Sequence, residues 1–495
     1  DTDTDTDTDT DTDTDTDTDT ATDTDTDTDT GSSSNIDIDP ADEKLQYVGR
    51  WNFDEPSLPW VAWPGASVIL QFEGTGLEVT LDPGTRTEYF RTIVDGDSDN
   101  STRFEAESGV SSYTLVEGLD EGVHTVEMVK ETYDGTNTVL YGFGLGDGVL
   151  LDPPEAKTRH IEFYGDSNLA GYSLMSEENK GPVKLQGAHF TYAGITARAF
   201  GADYHNIAGS GETLNSMAGL YDREDYYAAE PVWDFSDYSP DVVVMNLGAN
   251  DIGAREVVVR ERYATMLDLL RAAHPDVPIV VFNAYGWDED EPADYTDEVV
   301  EEYGDPNITA FAYPWVFEQW HGCESDHGGM AQHLISHLET VLGWEATEPD
   351  MMSGFGWEGD FANGGFEEQA QFGGYGWRYY TDTGVERVED ASEAQEGDFY
   401  LQLSGGAEVH QPNPVSGGQV VTVTAWMRGA NDGDQALVTL DFRDQNMWSV
   451  PVDSADTTVD LTTDWVQHTF AGTAPDDSVM PVFHTRFTMA AASGT

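Results

Sequence analysis

Between His160 and about Gly343 the sequence alternates apolar strands with amphipathic helices, and this restricts the fold more than any other feature of the chain. Ile161-Glu-Phe-Tyr164, Val242-Val-Val-Met-Asn-Leu247 and Ile279-Val-Val-Phe-Asn283 read as strands, and Arg255 to Ala273 repeats apolar residues at helical spacing. That alternation predicts a parallel sheet covered by helices on both faces, a three-layer α/β/α domain.

On either side the periodicity shortens. From Gln46 to Leu150, alternating runs such as Ser67-Val-Ile-Leu-Gln-Phe72, Gly76-Leu-Glu-Val-Thr-Leu81 and Arg91-Thr-Ile-Val94 are separated by Gly, Asp and Pro, the signature of a β-sandwich. After Glu348 a second β-sandwich is read from Val420-Val-Thr-Val-Thr-Ala-Trp426 and Ala436-Leu-Val-Thr-Leu-Asp-Phe442. No closing strand is evident before Thr495, so this domain is expected to be cut short. Residues 1 to about 31 form an Asp-Thr dipeptide repeat broken only by Ala21, which has nothing apolar to bury beyond that alanine and reads as an extended, self-repelling linker. A chain of 495 residues exceeds what one core serves. The expected division is a linker over 1–45, a sandwich over 46–152, the α/β/α domain over 153–347 and a second sandwich over 348–495.

The formal net charge is −74, from 21 Lys and Arg against 95 Asp and Glu. Fourteen of the acids are the Asp residues of the first thirty positions, which leaves −60 on the remainder. Nucleic acid and anionic membranes are poor partners for such a surface. Counterions at high salt would screen its self-repulsion, and Lys is scarce beside Arg, as expected of a protein from a salt-loving microbe. The single cysteine, Cys323, allows no internal disulfide, and no run of eighteen apolar residues marks a helical membrane span. The chain opens on Asp1 without a visible signal peptide, so its true N-terminus is expected to lie upstream.

Four short segments of the α/β region carry chemistry. Strand Ile161–Tyr164 runs into Gly165-Asp166-Ser167-Asn168, which places a serine at the carboxyl end of a parallel strand, where open α/β sheets hold their reactive groups. Asn206-Ile-Ala-Gly209-Ser-Gly211 follows a short strand, and its glycines let backbone N–H groups approach a ligand. Leu247-Gly248-Ala249-Asn250-Asp251 follows another strand, where the Asn250 carboxamide can donate to a developing oxyanion. Cys323-Glu-Ser-Asp-His327 heads an amphipathic helix that runs to about Leu342, and a histidine in the loop before that helix is free to reach Ser167. Taken singly, Ser167 reads as a helix cap and Asn250-Asp251 as a turn.

In this order and context the four segments resemble the blocks of the SGNH, or GDSL-type, hydrolases. The resemblance implies Ser167 as nucleophile, its own amide with Gly209 and Asn250 as the oxyanion hole, and His327 as general base. Over residues 47 to 345 the chain also resembles carbohydrate esterase family 2, which couples an N-terminal jelly roll to an SGNH domain and deacetylates xylan and related glycans. The matching features include Gly49-Arg50, Trp63-Pro-Gly-Ala-Ser67, Phe72-Glu-Gly-Thr75, Ile93-Val-Asp-Gly96, Trp233-Asp-Phe235, Pro240 to Asp251 and Gly322-Cys323. Where that family has Cys-Asp-x-His before Pro-Ser, this chain has one extra residue and Gly-Gly. The third member of the triad is therefore Glu324, Asp326 or a backbone carbonyl, with Glu324 favoured for its spacing.

The C-terminal region, with Asn363-Gly-Gly-Phe-Glu367, Gly376-Trp377, Ala425-Trp426 and Thr463-Asp-Trp465, resembles a carbohydrate-binding module of the family 4/9/16 type. Trp377, Tyr379 and Trp448 are its candidate sugar-stacking residues, and its acidic loops permit a structural calcium ion. Zinc on Cys323, His327, His333 and His337 is the weaker reading, because the paired spacing of zinc sites is absent. The reading that emerges is a secreted esterase that needs no cofactor and acts on acetylated polysaccharide. Its rivals are a GDSL-type enzyme for a non-carbohydrate ester and a glycan-binding protein with vestigial activity.

Overall fold

A computed structural model describes residues 36–176, 181–282, 293–311, 321–347 and 361–491, the last with breaks at 362, 368, 371–372, 375–376, 378–383, 416, 444–450 and 477–483. The N-terminal part is β-rich. One antiparallel sheet orders Gln46–Val48, Ser67–Glu73, Val123–Lys130, Glu88–Val94 and Asp97–Ala106, with Val149–Leu150 also on Ser67–Glu73. A second orders Trp51–Asn52, Trp60–Val61, Thr138–Gly144, Gly76–Asp82 and Ser111–Glu117. Val68, Leu70 and Phe72 from the first meet Val79, Leu81, Leu140 and Phe143 from the second in one core. This is how period-two alternation buries one face of each strand. Gly142, at φ +139°, sits where the register shifts against Gly76–Asp82, and a Cβ there would stand 2.4 Å from the Ile38 carbonyl.

The central part carries five parallel strands: β1 (Arg159–Gly165), β2 (Ala202–Ala208), β3 (Val242–Asn246), β4 (Ile279–Phe282) and β5 (Ile308–Phe311). Their order is β2-β1-β3-β4-β5. Alternate residues feed opposite layers. Ile161, Phe163, Val242, Val244, Val280 and Phe282 pack with helix α1 (Tyr192–Ala199) and with Met330, Leu334 and Leu338 of α5 (Glu324–Leu342). Tyr164, Val243, Met245, Ile279 and Val281 pack with Val259, Tyr263, Met266 and Leu270 of α3 (Glu256–Ala273). Two short or edge helices, α2 (Leu214–Met217) and α4 (Ala293–Tyr303), complete the described set. Burial on both faces is why these strands read as nearly unbroken apolar runs. The order reverses between β1 and β3, so the crevice at their carboxyl ends is the place for a ligand in this architecture.

A buried ionic group joins the N-terminal and central parts. Arg50, fully buried, donates to Glu162 Oε1 of β1 at 2.8 Å, to Tyr164 Oη at 2.9 Å and to the carbonyls of Tyr221 and Arg223. The Arg50 charge and hydrogen bonds from His205 and His274 hold the Glu162 carboxyl well below the usual range in spite of its burial.

The C-terminal region is strand-rich. A four-stranded antiparallel sheet orders Glu408–Pro414, His484–Ala491, Gln435–Arg443 and Asp453–Asp460, and the pairs Val420–Met427 with Val466–Thr473 and Val385–Glu389 with Phe399–Leu403 accompany it. His484–Ala491, not read as a strand from the sequence, lies inside this sheet and is bonded on both sides.

Candidate active site

The Ser167 loop is shaped where β1 ends. A Cβ on Gly165 would stand 2.6 Å from the Leu169 Cβ and 3.1 Å from the Asn246 carbonyl, so only glycine lets the chain turn this tightly against β3. The Ala170 and Tyr172 amides then donate to the Asp166 and Ser167 carbonyls, which makes Ser167 the head of a helical turn. Asp166 accepts the Asn168 amide at 3.0 Å, and burial pushes its carboxyl up to about 7.

The side chain on the Ser167 hydroxyl is His321, with Nε2 2.9 Å from Oγ. Partial burial lowers the His321 pKa to about 4, which leaves the imidazole neutral, the form that can accept a serine proton. The Tyr172 ring lies 4.3 Å from the His321 ring, and Asn168 Oδ1 accepts the Gly322 amide at 3.2 Å. The loop of the serine therefore grips the loop of the histidine.

His327 is not in the loop where it was expected. Helix α5 begins at Glu324, so His327 stands within its first turn and not in a loop before it. The early start has a cause: Asp326 accepts the Cys323 amide at 3.0 Å and closes a capping box. His327 is buried, its ring parallel to Tyr192 at 5.8 Å, and its Nδ1 accepts the Tyr192 amide at 3.2 Å. With Nδ1 accepting, a neutral ring carries its hydrogen on Nε2, the wrong tautomer for taking a proton from serine there. Burial and the adjacent His321 push its pKa down to about 3, against an opposing hydrogen bond with the Gly322 backbone.

Glu324 donates its amide to the Leu174 carbonyl, while its carboxylate acts on the Arg103 guanidinium. Gly209 lies just past β2, buried, and a Cβ on it would come within 2.4 Å of the Tyr226 ring. Asn250 lies in the 3₁₀ turn after β3 and donates through Nδ2 to the Glu212 carbonyl at 3.0 Å, tying the third block to the second. Asn206 Nδ2 donates to the Leu169 carbonyl at 3.1 Å, tying the second block to the first. Ser167, Gly209 and Asn250 thus follow the carboxyl ends of three adjacent strands. His321, the residue sequence reasoning missed, could have been considered as a second histidine only two positions before Cys323.

Outside this cleft the expectations fare differently. Trp377 is corrected from a sugar platform to a core residue: it is 3 % exposed, packed by Phe361 and Phe366 at 5.3 Å each, with Nε1 on the Asn363 carbonyl. Tyr379 and Trp448 lie outside the described residues. His337 bonds to Thr309 and stacks on Phe311 at 4.8 Å. Among the described residues no group of three or more His, Cys, Asp or Glu gathers to hold a metal ion, and no helix is long and apolar enough to cross a membrane.

The family description Carbohydrate esterase 2 N-terminal matches residues 47–154, and GDSL-like Lipase/Acylhydrolase family matches residues 163–310. A solved family two carbohydrate esterase from Clostridium thermocellum, in complex with cellohexaose, is similar at 32% identity and a TM-score of 0.57, over 61% of this chain and 99% of that one. The cellulase/esterase CelE of Acetivibrio thermocellus is 33% identical over 333 residues, 62% of this chain. This chain spans only 40% of CelE's length. An acetylxylan esterase / glucomannan deacetylase of Cellvibrio japonicus is 22% identical over 62% of this chain and 91% of that protein.

Proposed function

The chain belongs to carbohydrate esterase family 2, and from that membership we propose that it is a serine esterase removing O-acetyl groups from plant polysaccharide, acetylated xylan or a related glycan. The observation that carries the reading is the 2.9 Å contact of Ser167 Oγ with a neutral imidazole at the carboxyl edge of the parallel sheet. In the proposed reaction His321 Nε2 takes the Ser167 proton as Oγ attacks the acetyl carbonyl carbon. The resulting oxyanion is met by the Ser167 and Gly209 amides and by Asn250, whose carboxamide carries a second hydrogen beside the one given to Glu212. The imidazolium returns its proton to the departing sugar hydroxyl, and water repeats the sequence on the acetyl-enzyme. No step calls for a cofactor.

A second assignment of the base is favoured by one observation: His327 occupies the family's motif position behind Gly322-Cys323 and interacts electrostatically with His321. A shift of residues 321–323 that freed Nδ1 from the Tyr192 amide would give His327 the base's tautomer. His321→Ala and His327→Ala assayed side by side discriminate the two, because the base's removal costs on the order of 10³-fold or more in kcat.

The flanks extend the proposal. The two N-terminal sheets are taken as a jelly-roll sandwich over 46–152, the hydrolase as 153–347, and 348–495 as a sandwich of the carbohydrate-binding-module kind behind a linker over 1–45. A polymer substrate supports a location outside the cell, and the acid surplus supports a salt-rich habitat. The test is acetate release from acetylated xylan in molar salt by the wild type and Ser167→Ala. Release abolished by the substitution is expected. A wild type that binds the polymer without releasing acetate would establish a glycan-binding protein instead, and release only from lipid or simple esters would move the substrate to the non-carbohydrate class.

A further inference from the structure

The strands Val123–Lys130 and Thr138–Gly144 of the N-terminal part are joined by residues 131–137, and this connection is seated on the central part at both ends. At one end Glu131, fully buried, accepts the backbone amides of Ala188 and His189 and pairs with Arg91 and Arg103. At the other, Asn137 Nδ2 donates to Asp225 at 2.9 Å. Between these anchors stands Tyr133. Its hydroxyl comes near Ser210, the neighbour of Gly209, and its ring lies 6.5 Å from Tyr172. Tyr172 in turn lies 4.3 Å from His321, which holds the Ser167 hydroxyl. Tyr133 and Tyr172 are both only partly buried. Glu131 and Asn137 account for the anchoring, and neither needs an aromatic residue between them.

We propose that Tyr133 is a specificity-determining residue of the esterase site, its ring forming with Tyr172 the wall that holds the sugar ring bearing the scissile acetyl group. The proposal rests on the esterase reading above. A pyranose presents a face of C–H groups, and the tyrosine ring offers an apolar body on which that face can rest. A ligand with an acetyl group on a small aromatic alcohol needs no such wall. Sugar-ring binding remote from the carbonyl should then appear in KM for the polymer and hardly at all in the turnover of a simple ester.

The experiment measures kcat and KM for acetylated xylan and for 4-nitrophenyl acetate with wild type, Tyr133→Ala, Tyr133→Phe and Ser167→Ala. Tyr133→Ala is expected to raise KM for acetylated xylan by about tenfold, the factor that about 1.4 kcal/mol of lost contact gives, with kcat/KM for 4-nitrophenyl acetate falling by a much smaller factor. Tyr133→Phe keeps the ring and should keep the wild-type KM for the polymer. An unchanged polymer KM in Tyr133→Ala overturns the proposal, as does a parallel loss on both substrates, which would make the residue structural. The esterase reading is judged separately, by whether the wild type and not Ser167→Ala releases acetate.

Discussion

A histidine held neutral by burial against a serine hydroxyl makes a definite prediction about pH. As the proposed base His321 works only when unprotonated, and burial disfavours its imidazolium, so its pKa falls from 6.5 to about 4. Activity should therefore be complete at neutral pH and be lost as pH falls through about 4, measured as kcat/KM for 4-nitrophenyl acetate, which reports the free enzyme. An acid limb at 6.5 would remove His321 from the role. The residues of the site were unequally legible. Ser167, Gly209 and Asn250 each lie just past a strand, so local pattern is enough to place them at one sheet edge, while their roles come from the resemblance. His321 belongs to no motif, and its place depends on the Asn168 to Gly322 bond across 154 positions. Trp377 misled for the opposite reason: a tryptophan in a sandwich looks the same in sequence whether its faces meet Phe361 and Phe366 or solvent.

Three of the five parallel strands were anticipated to within about two residues at each end, since apolar runs ending in Gly or Asn mark buried strands well. What pairing does with their polar residues was not. Glu162 stands in the middle of β1, a visible anomaly, but its partner Arg50 lies 112 positions upstream in another part of the chain. Arg50→Ala should be severe, because it leaves a carboxylate fully buried without its charge partner, a loss of about 3–5 kcal/mol. Urea unfolding checks this, and Arg50→Lys should recover only part of it, since an ammonium cannot span Glu162, Tyr164 and two carbonyls as the guanidinium fork does. An Arg50→Ala protein as stable as the wild type would mean that the hydrogen bonds from His205 and His274 are enough to hold Glu162. Helix α5 gives the smaller prediction of this kind. Asp326→Ala removes the acceptor of the Cys323 amide and should cost about 1 kcal/mol, read from the shift in unfolding midpoint, whereas Asp326→Asn keeps an acceptor and should cost less.

Over the whole molecule, the change of pattern near Leu150 and Gly343 separated β-rich flanks from an α/β centre without any structure. Strand order in the flanks stayed hidden because His484–Ala491, with two alanines and little β-branching, gives a weak local signal and is fixed only by its two neighbours. Charge is the property that no single element holds. Of 21 Lys and Arg against 95 acids, several are already committed inside: Arg50 to Glu162, Lys130 to Glu88, Arg91 and Arg103 to Glu131. Few cations remain to offset the surface acids, so the folded state confines a repulsion that the unfolded chain can spread. The Debye length falls from about 10 Å at 0.1 M salt to about 3 Å at 1 M, which screens that repulsion and leaves the buried pairs nearly untouched. The unfolding midpoint should rise by about 5 °C or more between 0.1 and 2 M NaCl, the shift that about 2 kcal/mol produces in domains of this size. Sulfate strengthens apolar burial as well as screening, so it separates the two causes. If NaCl raises the midpoint as sulfate does at equal ionic strength, screening of the acidic surface is the mechanism; if sulfate alone raises it, the surplus of acids does not make the fold depend on salt.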